Sequence, residues 1–255
     1  MDKLLEEIRK IEFEQIDYQK EDHEYFGVIK GNIPILISAP HGSRHMRNGL
    51  WKEEDEYTSS IAIKLGQMTG AHVIYVKNRT TEDSNFDESA KYKDAAKRLI
   101  KEERIKFLAD IHGAKPSRNF KIDVGVINEK DMDKCSCREL MPVIAKALKD
   151  FQTPLFNQNF SANHPGTMTF FARNKCGIEA AQFEINARYR IIERKPDSSK
   201  AVKGEDPDYK AKEEDVLELF NRMMDMILKI ERKIRELEGV WGHMGIFHEW
   251  GHEWG

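Results

Sequence analysis

Short apolar segments rich in β-branched residues alternate along this chain with segments whose apolar residues recur at helical spacing. Such alternation predicts an α/β fold, in which helices cover a parallel or mixed sheet. The predicted strands are residues 25–29, 33–38, 71–76, 105–111, 122–127, 167–171 and 178–185. The predicted helices are residues 58–68, 87–103, 138–150 and 216–237. Between the first two strands, Gly31-Asn32 predicts a hairpin turn, because both residue types tolerate a positive φ.

The organisation of the chain predicts one domain. Its 255 residues suffice for a large core, and no repeat or linker-like stretch divides them. We therefore expect residues 1–240 to form a single α/β domain and residues 241–255 to form a tail rich in glycine and aromatic residues.

Composition excludes several classes of protein. Lys and Arg number 41 against 44 Asp and Glu, a net charge of −3, which argues against a nucleic-acid partner. The mean hydropathy of −0.66, with no run of about 20 apolar residues, predicts a soluble protein that does not enter a membrane. The start of the chain does not resemble a signal peptide, and three cysteines are too few for a disulfide framework, so we expect a cytoplasmic protein.

Three predicted strands end in polar residues, at the sheet edge where α/β proteins collect their chemistry. The segments read Ile35-Leu36-Ile37-Ser38-Ala39-Pro40-His41-Gly42, Phe107-Leu108-Ala109-Asp110-Ile111-His112-Gly113 and Ala181-Gln182-Phe183-Glu184-Ile185-Asn186. Each histidine precedes a glycine, which lets the backbone turn without crowding. Either histidine alone reads as a loop residue, but two in the same pattern favour a pair of zinc ligands.

A catalytic zinc site needs a third ligand and commonly a base. The acidic residues Glu53-Glu54-Asp55-Glu56 precede a predicted helix and offer ligands, although acidic residues at a helix start are also favoured by the helix dipole. Glu184 interrupts an apolar run. It is either a buried general base with a raised pKa, or a solvent-facing residue whose neighbours Phe183 and Ile185 point inward.

These segments resemble the N-formylglutamate amidohydrolase family, which is related in fold to zinc carboxypeptidases and succinylglutamate desuccinylases. Two further segments match in order, Arg79-x-x-x-Asp83-x-Asn85 and Asn163-His164-Pro165-Gly166-Thr167. The resemblance covers roughly residues 25–190. It implies a mixed sheet flanked by helices, of the zinc-carboxypeptidase (phosphorylase/hydrolase-like) type.

The resemblance also implies roles for individual residues. His41 and His112 would bind one zinc ion per chain, with Asp55 as the carboxylate ligand and Glu54 competing with it. Glu184 would be the general base.

Positive side chains complete the predicted site. Arg118, or Arg79, would stabilise the oxyanion or hold a substrate carboxylate. Asn85 and Arg188 are further candidates for substrate binding. The chain departs from the family at Phe86, where the family commonly has an arginine that can grip a carboxylate, so we expect N-formylglutamate to be a poor substrate.

The predicted function is metal-dependent hydrolysis of an amide bond in a small N-acyl amino acid. The alternatives are a carboxypeptidase-like zinc peptidase acting on short peptides, and a non-catalytic metal-binding module on the same fold. A highly charged segment, residues 193–215, predicts a mobile loop near the mouth of the site.

The tail contains His248-Glu249-Trp250-Gly251-His252, a formal match to the zincin motif H-E-x-x-H. Glycines interrupt the stretch, so we expect it to dock on its own domain or on a neighbouring subunit of a homo-oligomer rather than to form the active site. Cys135-Ser136-Cys137 reads as a pair of ordinary thiols.

Overall fold

The computed structural model describes residues 1–128, 130, 134–202 and 210–243, with the backbone alone for residues 201–202 and 240–243. The zincin-like motif and most of the tail lie outside these residues. The helices are α1 (Lys3–Gln15), α2 (Thr58–Thr69), α3 (Lys91–Glu102), α4 (Met141–Leu148), α5 (Met168–Cys176), the short α6 (Ser199–Val202) and α7 (Glu213–His243). None of these described helices combines the length and apolar character that crossing a bilayer requires.

A six-stranded mixed sheet forms the centre of the structure. Its strands are β1 (Phe26–Ile29), β2 (Ile33–Ala39), β5 (Ala71–Val76), β6 (Phe107–Ala114), β7 (Ile122–Gly125) and β8 (Glu179–Asn186). They lie in the order β1-β5-β2-β6-β8-β7. The inner four are parallel, while β1 and β7 are antiparallel edge strands. A separate ribbon pairs β3 (His45–Arg47) with β4 (Leu50–Lys52).

Two hydrophobic cores cover the sheet, one on each face. The larger core packs α1, α2, α4 and α7 against residues such as Ile37, Ala109 and Phe183. The smaller core packs α3 and α5 against alternate strand residues, among them Leu36 and Leu108. This alternation follows from the two-residue period of a strand, and it decides which side chains can reach the site.

The hairpin predicted at Gly31-Asn32 is wrong. Strand β5 lies between β1 and β2, running antiparallel to β1 and parallel to β2. Both sides of β2 are occupied, by β5 and by β6, so β1 cannot pair with β2 and pairs with the outer side of β5. Asn32 instead packs against the end of α2, where its N–H donates to the carbonyl of Gly70 at 2.7 Å.

The strand predicted at residues 167–171 is also wrong, because this segment begins helix α5. Thr167 caps the helix by accepting a hydrogen bond from the N–H of Phe170, and Asn85 Oδ1 accepts another from the N–H of Met168. These bonds satisfy donors that a helix start leaves open, and they outweigh the strand preference of the threonines and phenylalanines. The other predicted elements are present. The strand predicted at residues 71–76 has the same bounds in the structure, and the largest displacement is six residues, at the end of α7.

The charged segment 193–215 is packed against the domain over most of residues 194–200, whereas residues 210–214 are mostly exposed. Ser199 and Lys200 are buried, and Arg194 and Lys200 both bind the carboxylate of Glu56, at 3.1 and 3.3 Å. The prediction of a mobile loop is therefore wrong for residues 193–200. Their positive charges pair with an acidic cluster beneath them, and residues 203–209 lie outside the described chain.

Candidate functional site

The carboxyl ends of two neighbouring strands bring His112 and Glu184 together. The two residues lie opposite each other in the parallel pair of β6 and β8. Phe183 and Ile185 belong to the larger core, so Glu184 projects from the other side of the sheet. The sequence left open whether Glu184 is a buried base or a solvent-facing residue whose neighbours Phe183 and Ile185 point inward. In the structure both neighbours point into the larger core, and Glu184 is nevertheless buried, at 8% exposure.

His41 and Asp55 join them through the loop between β2 and α2. His41 lies two residues beyond the end of β2, and its carbonyl accepts the N–H of Asp55 at 2.8 Å. The carbonyl of Asp55 in turn accepts the N–H of Thr58 at 3.1 Å and its hydroxyl at 2.7 Å, at the start of α2. The loop is therefore held at both ends.

The donor atoms of three residues converge on one point. Asp55 Oδ2 lies 3.6 Å from Nδ1 of His41 and 3.6 Å from Nδ1 of His112. A tetrahedral ion bonded at about 2.0–2.2 Å holds its ligand atoms roughly 3.3–3.6 Å apart. The two imidazole planes meet at 70°, so their in-plane lone pairs can point at the same ion. Two imidazoles and one carboxylate form a donor set that fits zinc.

Buried carboxylates hold the far side of each imidazole. His41 Nε2 donates to Asp83 at 2.9 Å, and His112 Nε2 donates to Asp110 at 2.8 Å. Both aspartates are fully buried. Each aspartate holds the Nε2 proton of its ring, so Nδ1 is the nitrogen that faces Asp55. A metal can bind Nδ1 once this nitrogen has lost its proton, and an aspartate on the far nitrogen is typical of metal-binding histidines.

A second group of donors, His41, His45 and Asp83, also lies close together. The rings of His41 and His45 are stacked, 3.9 Å apart and within 4° of parallel, so an ion lying in one ring plane is out of the other. Arg47 Nε donates to Asp83 at 2.6 Å and places a positive charge there. This second group therefore suits a cation poorly.

Charge coupling distinguishes the converging residues. Burial lowers the pKa of His41 and His112, but their carboxylate partners outweigh burial, so both pKa values lie above the ordinary value. Burial favours a neutral Asp55, yet the two histidines hold its pKa well below the usual range. For Glu184, burial raises the pKa to about 7, with Asp55 adding to the rise and His112 opposing it.

Glu54, the competing candidate, faces away from the histidines. Its carboxylate accepts the N–H of Ser199 at 2.8 Å and the hydroxyl of Ser199 at 2.6 Å. It is 1% exposed. The geometry therefore brings Asp55, and not Glu54, to the point where His41 and His112 converge.

The four predicted substrate-binding or electrophilic residues make other contacts. Arg118 is exposed and lies over the ring of Phe160 at 5.2 Å, and Arg188 is exposed in the middle of a 3-10 turn. Arg79 pairs with Glu21 and lies over Trp51. Asn85 is adjacent to the site, where its N–H donates to Asp83 at 3.1 Å and its side chain caps α5.

The structure adds residues to which sequence reasoning gave no role. Asp83 and Asp110 orient the histidines, and Arg47 binds Asp83. Asp110 could have been found, because it lies two residues before His112 and so shares its face of the strand. Arg47 also lies over the ring of Phe86, at 4.8 Å.

The glycines after the two histidines serve close packing rather than turning. Neither has a positive φ. A side chain at Gly42 would collide with Ser59 of α2, and one at Gly113 would meet the guanidinium of Arg190. Both positions therefore need glycine for space.

No protein-family model matches this sequence, and no curated protein matches it as a relative. Solved structures share its fold at low identity. A gene product of Agrobacterium tumefaciens has a TM-score of 0.57 and 12% identity, over 87% of this chain and 100% of its own. N-formylglutamate amidohydrolase from Ralstonia eutropha JMP134 has a TM-score of 0.50 and 11% identity, over 83% and 98%. At these identities the likeness shows the fold, and the predicted fold class is confirmed.

Proposed function

We propose that this chain is a metal-dependent hydrolase that cleaves the amide bond of a small N-acyl amino acid or short peptide. The observation that supports it is the convergence of His41 Nδ1, His112 Nδ1 and Asp55 Oδ2 beside the buried carboxylate of Glu184. The fold is also that of a solved N-formylglutamate amidohydrolase. One zinc ion per chain fits the donor set better than magnesium or calcium, which prefer oxygen ligands.

Each residue of the group has a task in this reaction. His41, His112 and Asp55 would hold the ion, which when bound polarises a carbonyl and acidifies a water. Glu184, with a pKa raised to about 7 by burial, is suited to accept the proton of that water and return it to the leaving nitrogen. Asp83 and Asp110 hold the imidazoles in the orientation that binding requires.

Arg47 is a positively charged residue that the hydrogen-bond network connects to the predicted metal ligand His41. It binds Asp83, which binds His41, and one third of its side chain is exposed. Phe86, which stands where the family commonly has an arginine, supports that guanidinium with its ring. We propose Arg47 as the group that attracts a substrate carboxylate. The roles predicted for Arg79, Arg118 and Arg188 stay predictions.

Metal analysis of the purified protein tests the site. We expect about one zinc per chain, lost in His41→Ala and in His112→Ala because each removes a ligand. His45→Gln and His248→Ala are the controls and keep the ion. Full metal content in both ligand variants, or its loss in His45→Gln, would exclude the assigned site.

Glu184→Gln separates a catalytic centre from a non-catalytic metal module. The amide keeps the shape but cannot accept a proton, so the variant should keep its zinc and lose about 10²–10⁴-fold in kcat. The measurement is hydrolysis of a panel of N-acyl amino acids and short peptides, which also distinguishes the amidohydrolase from a carboxypeptidase-like enzyme. Activity within threefold of the wild type would move Glu184 to a structural role.

A further inference from the structure

Arg190 is a fully buried arginine that sequence reasoning did not single out. Its guanidinium donates to three main-chain carbonyls. Nε donates to Ile185 at 3.1 Å, Nη1 donates to Glu56, and Nη2 makes a longer contact of 3.5 Å to Ala114. None of these acceptors is a carboxylate, so the charge is bound by the partial charges of peptide groups.

The three carbonyls belong to the three segments that carry the site. Glu56 directly follows Asp55, Ile185 directly follows Glu184, and Ala114 lies two residues after His112. The segments are distant in sequence, since Arg190 and Glu56 are 134 residues apart. One planar group therefore touches the backbone beside a predicted carboxylate ligand, a predicted histidine ligand and the predicted base.

The neighbouring residue Gly113 makes room for this arrangement. A Cβ at position 113 would lie 2.6 Å from Nη2 of Arg190 and 2.7 Å from Cζ. The glycine that follows His112 thus lets the guanidinium lie flat against β6. A lysine could not replace this group, because its single ammonium cannot span three carbonyls as a rigid fork does.

We propose that Arg190 is a positioning residue that sets the spacing of Asp55, His112 and Glu184, and through that spacing the affinity of the metal site. The proposal rests on the proposed function, because it assigns Arg190 a purpose in that same site. Residues that hold ligands in place typically change metal affinity by about 10–100-fold when they are replaced.

The test measures zinc affinity by competition with a chelator, and the visible absorption spectrum of the Co²⁺-loaded protein. We expect Arg190→Lys and Arg190→Met to weaken zinc binding by about 10–100-fold and to change the Co²⁺ spectrum. Gly113→Ala should also weaken zinc binding and change the Co²⁺ spectrum, because the added methyl group displaces the guanidinium while the arginine is retained.

Lys195→Met is the matched control. Lys195 is also a buried cation bound to main-chain carbonyls, but those of Ile16 and Glu12 at the end of α1. This variant should lose stability toward denaturant and keep zinc affinity within about threefold. A general loss of packing would instead weaken zinc binding in all the variants alike.

The outcomes separate the two proposals. If the wild type binds no zinc, the proposed function fails and this inference fails with it. If the wild type binds zinc and Arg190→Lys and Gly113→Ala bind it equally well, with unchanged Co²⁺ spectra, only the role of Arg190 is overturned. Should Arg190→Met not fold, Arg190→Lys and Gly113→Ala decide the matter.

Discussion

At the scale of single residues, the chemistry of the site depends on pairs of opposite charge rather than on isolated groups. Each imidazole has a carboxylate on both of its nitrogens, Asp55 on one side and a buried aspartate on the other. In the metal-free protein these carboxylates favour the protonated form of both histidines. A cation that binds at Nδ1 therefore competes with protons.

Zinc binding should release protons near neutral pH. The pKa of His112 lies well above its ordinary value and that of His41 is raised, so binding displaces protons and weakens as the pH falls. For each proton that binding releases, the affinity for zinc falls about tenfold when the pH is lowered by one unit. Calorimetry in buffers of different ionisation enthalpy measures the number of protons.

Asp110→Asn is the control for this release, because it removes the carboxylate that raises the pKa of His112. The variant should release fewer protons at pH 7–8 than the wild type. An affinity for zinc that does not change between pH 6 and pH 8 would contradict the assigned charge states.

At the scale of the elements, close approach between helix α2 and the loop after β2 positions His41. Ser59 of α2 donates its hydroxyl to the carbonyl of Val76 at 2.7 Å and lies directly against Gly42. A helix, a strand end and a loop therefore meet with no space between them. Such contacts tolerate no added atoms, because protein interiors are packed as densely as organic crystals.

Gly42→Ala should lower the free energy of unfolding by about 1–3 kcal/mol. Its Cβ would collide with Ser59 and lie 2.9 Å from the carbonyl of Val76. Gly239→Ala is the matched control on α7, where an added Cβ meets nothing within 4 Å, and it should stabilise the protein by up to about 1 kcal/mol. Denaturant unfolding of both variants measures the difference, and equal stability of Gly42→Ala and the wild type would contradict the packing argument.

At the scale of the whole molecule, residues distant in sequence form one buried cluster of charged and polar side chains next to the site. Glu54 binds Ser199, and Glu56 binds Arg194 and Lys200, all from a segment about 140 residues later in the chain. All five residues are buried. This buried cluster joins the loop that carries Asp55 to the segment before α7, and it keeps Glu54 away from the histidines.

Variants of Ser199, Glu54 and Asp55 should show that protein stability and metal binding depend on different residues of this region. Ser199→Ala removes a hydrogen bond to the buried Glu54 carboxylate and should lower the free energy of unfolding by about 1.5–3 kcal/mol without loss of zinc. Asp55→Asn should lose zinc, while Glu54→Gln should keep it. Unfolding curves and metal content measure both effects, and a Glu54→Gln variant without zinc would restore Glu54 as the ligand.

The sequence by itself determined what depends on local periodicity and on strand ends. Alternating apolar patterns predicted the fold class, which is confirmed. They also placed His112 and Glu184 near the carboxyl ends of their strands and His41 just beyond one. The tertiary structure alone decided the order of β1, β5 and β2, the helix begun by Thr167, and the separation of Asp55 from Glu54. It also showed Arg190 and the aspartates behind the histidines. These features depend on which distant segments meet, and Glu54 and Ser199 meet across 145 residues that no local pattern spans.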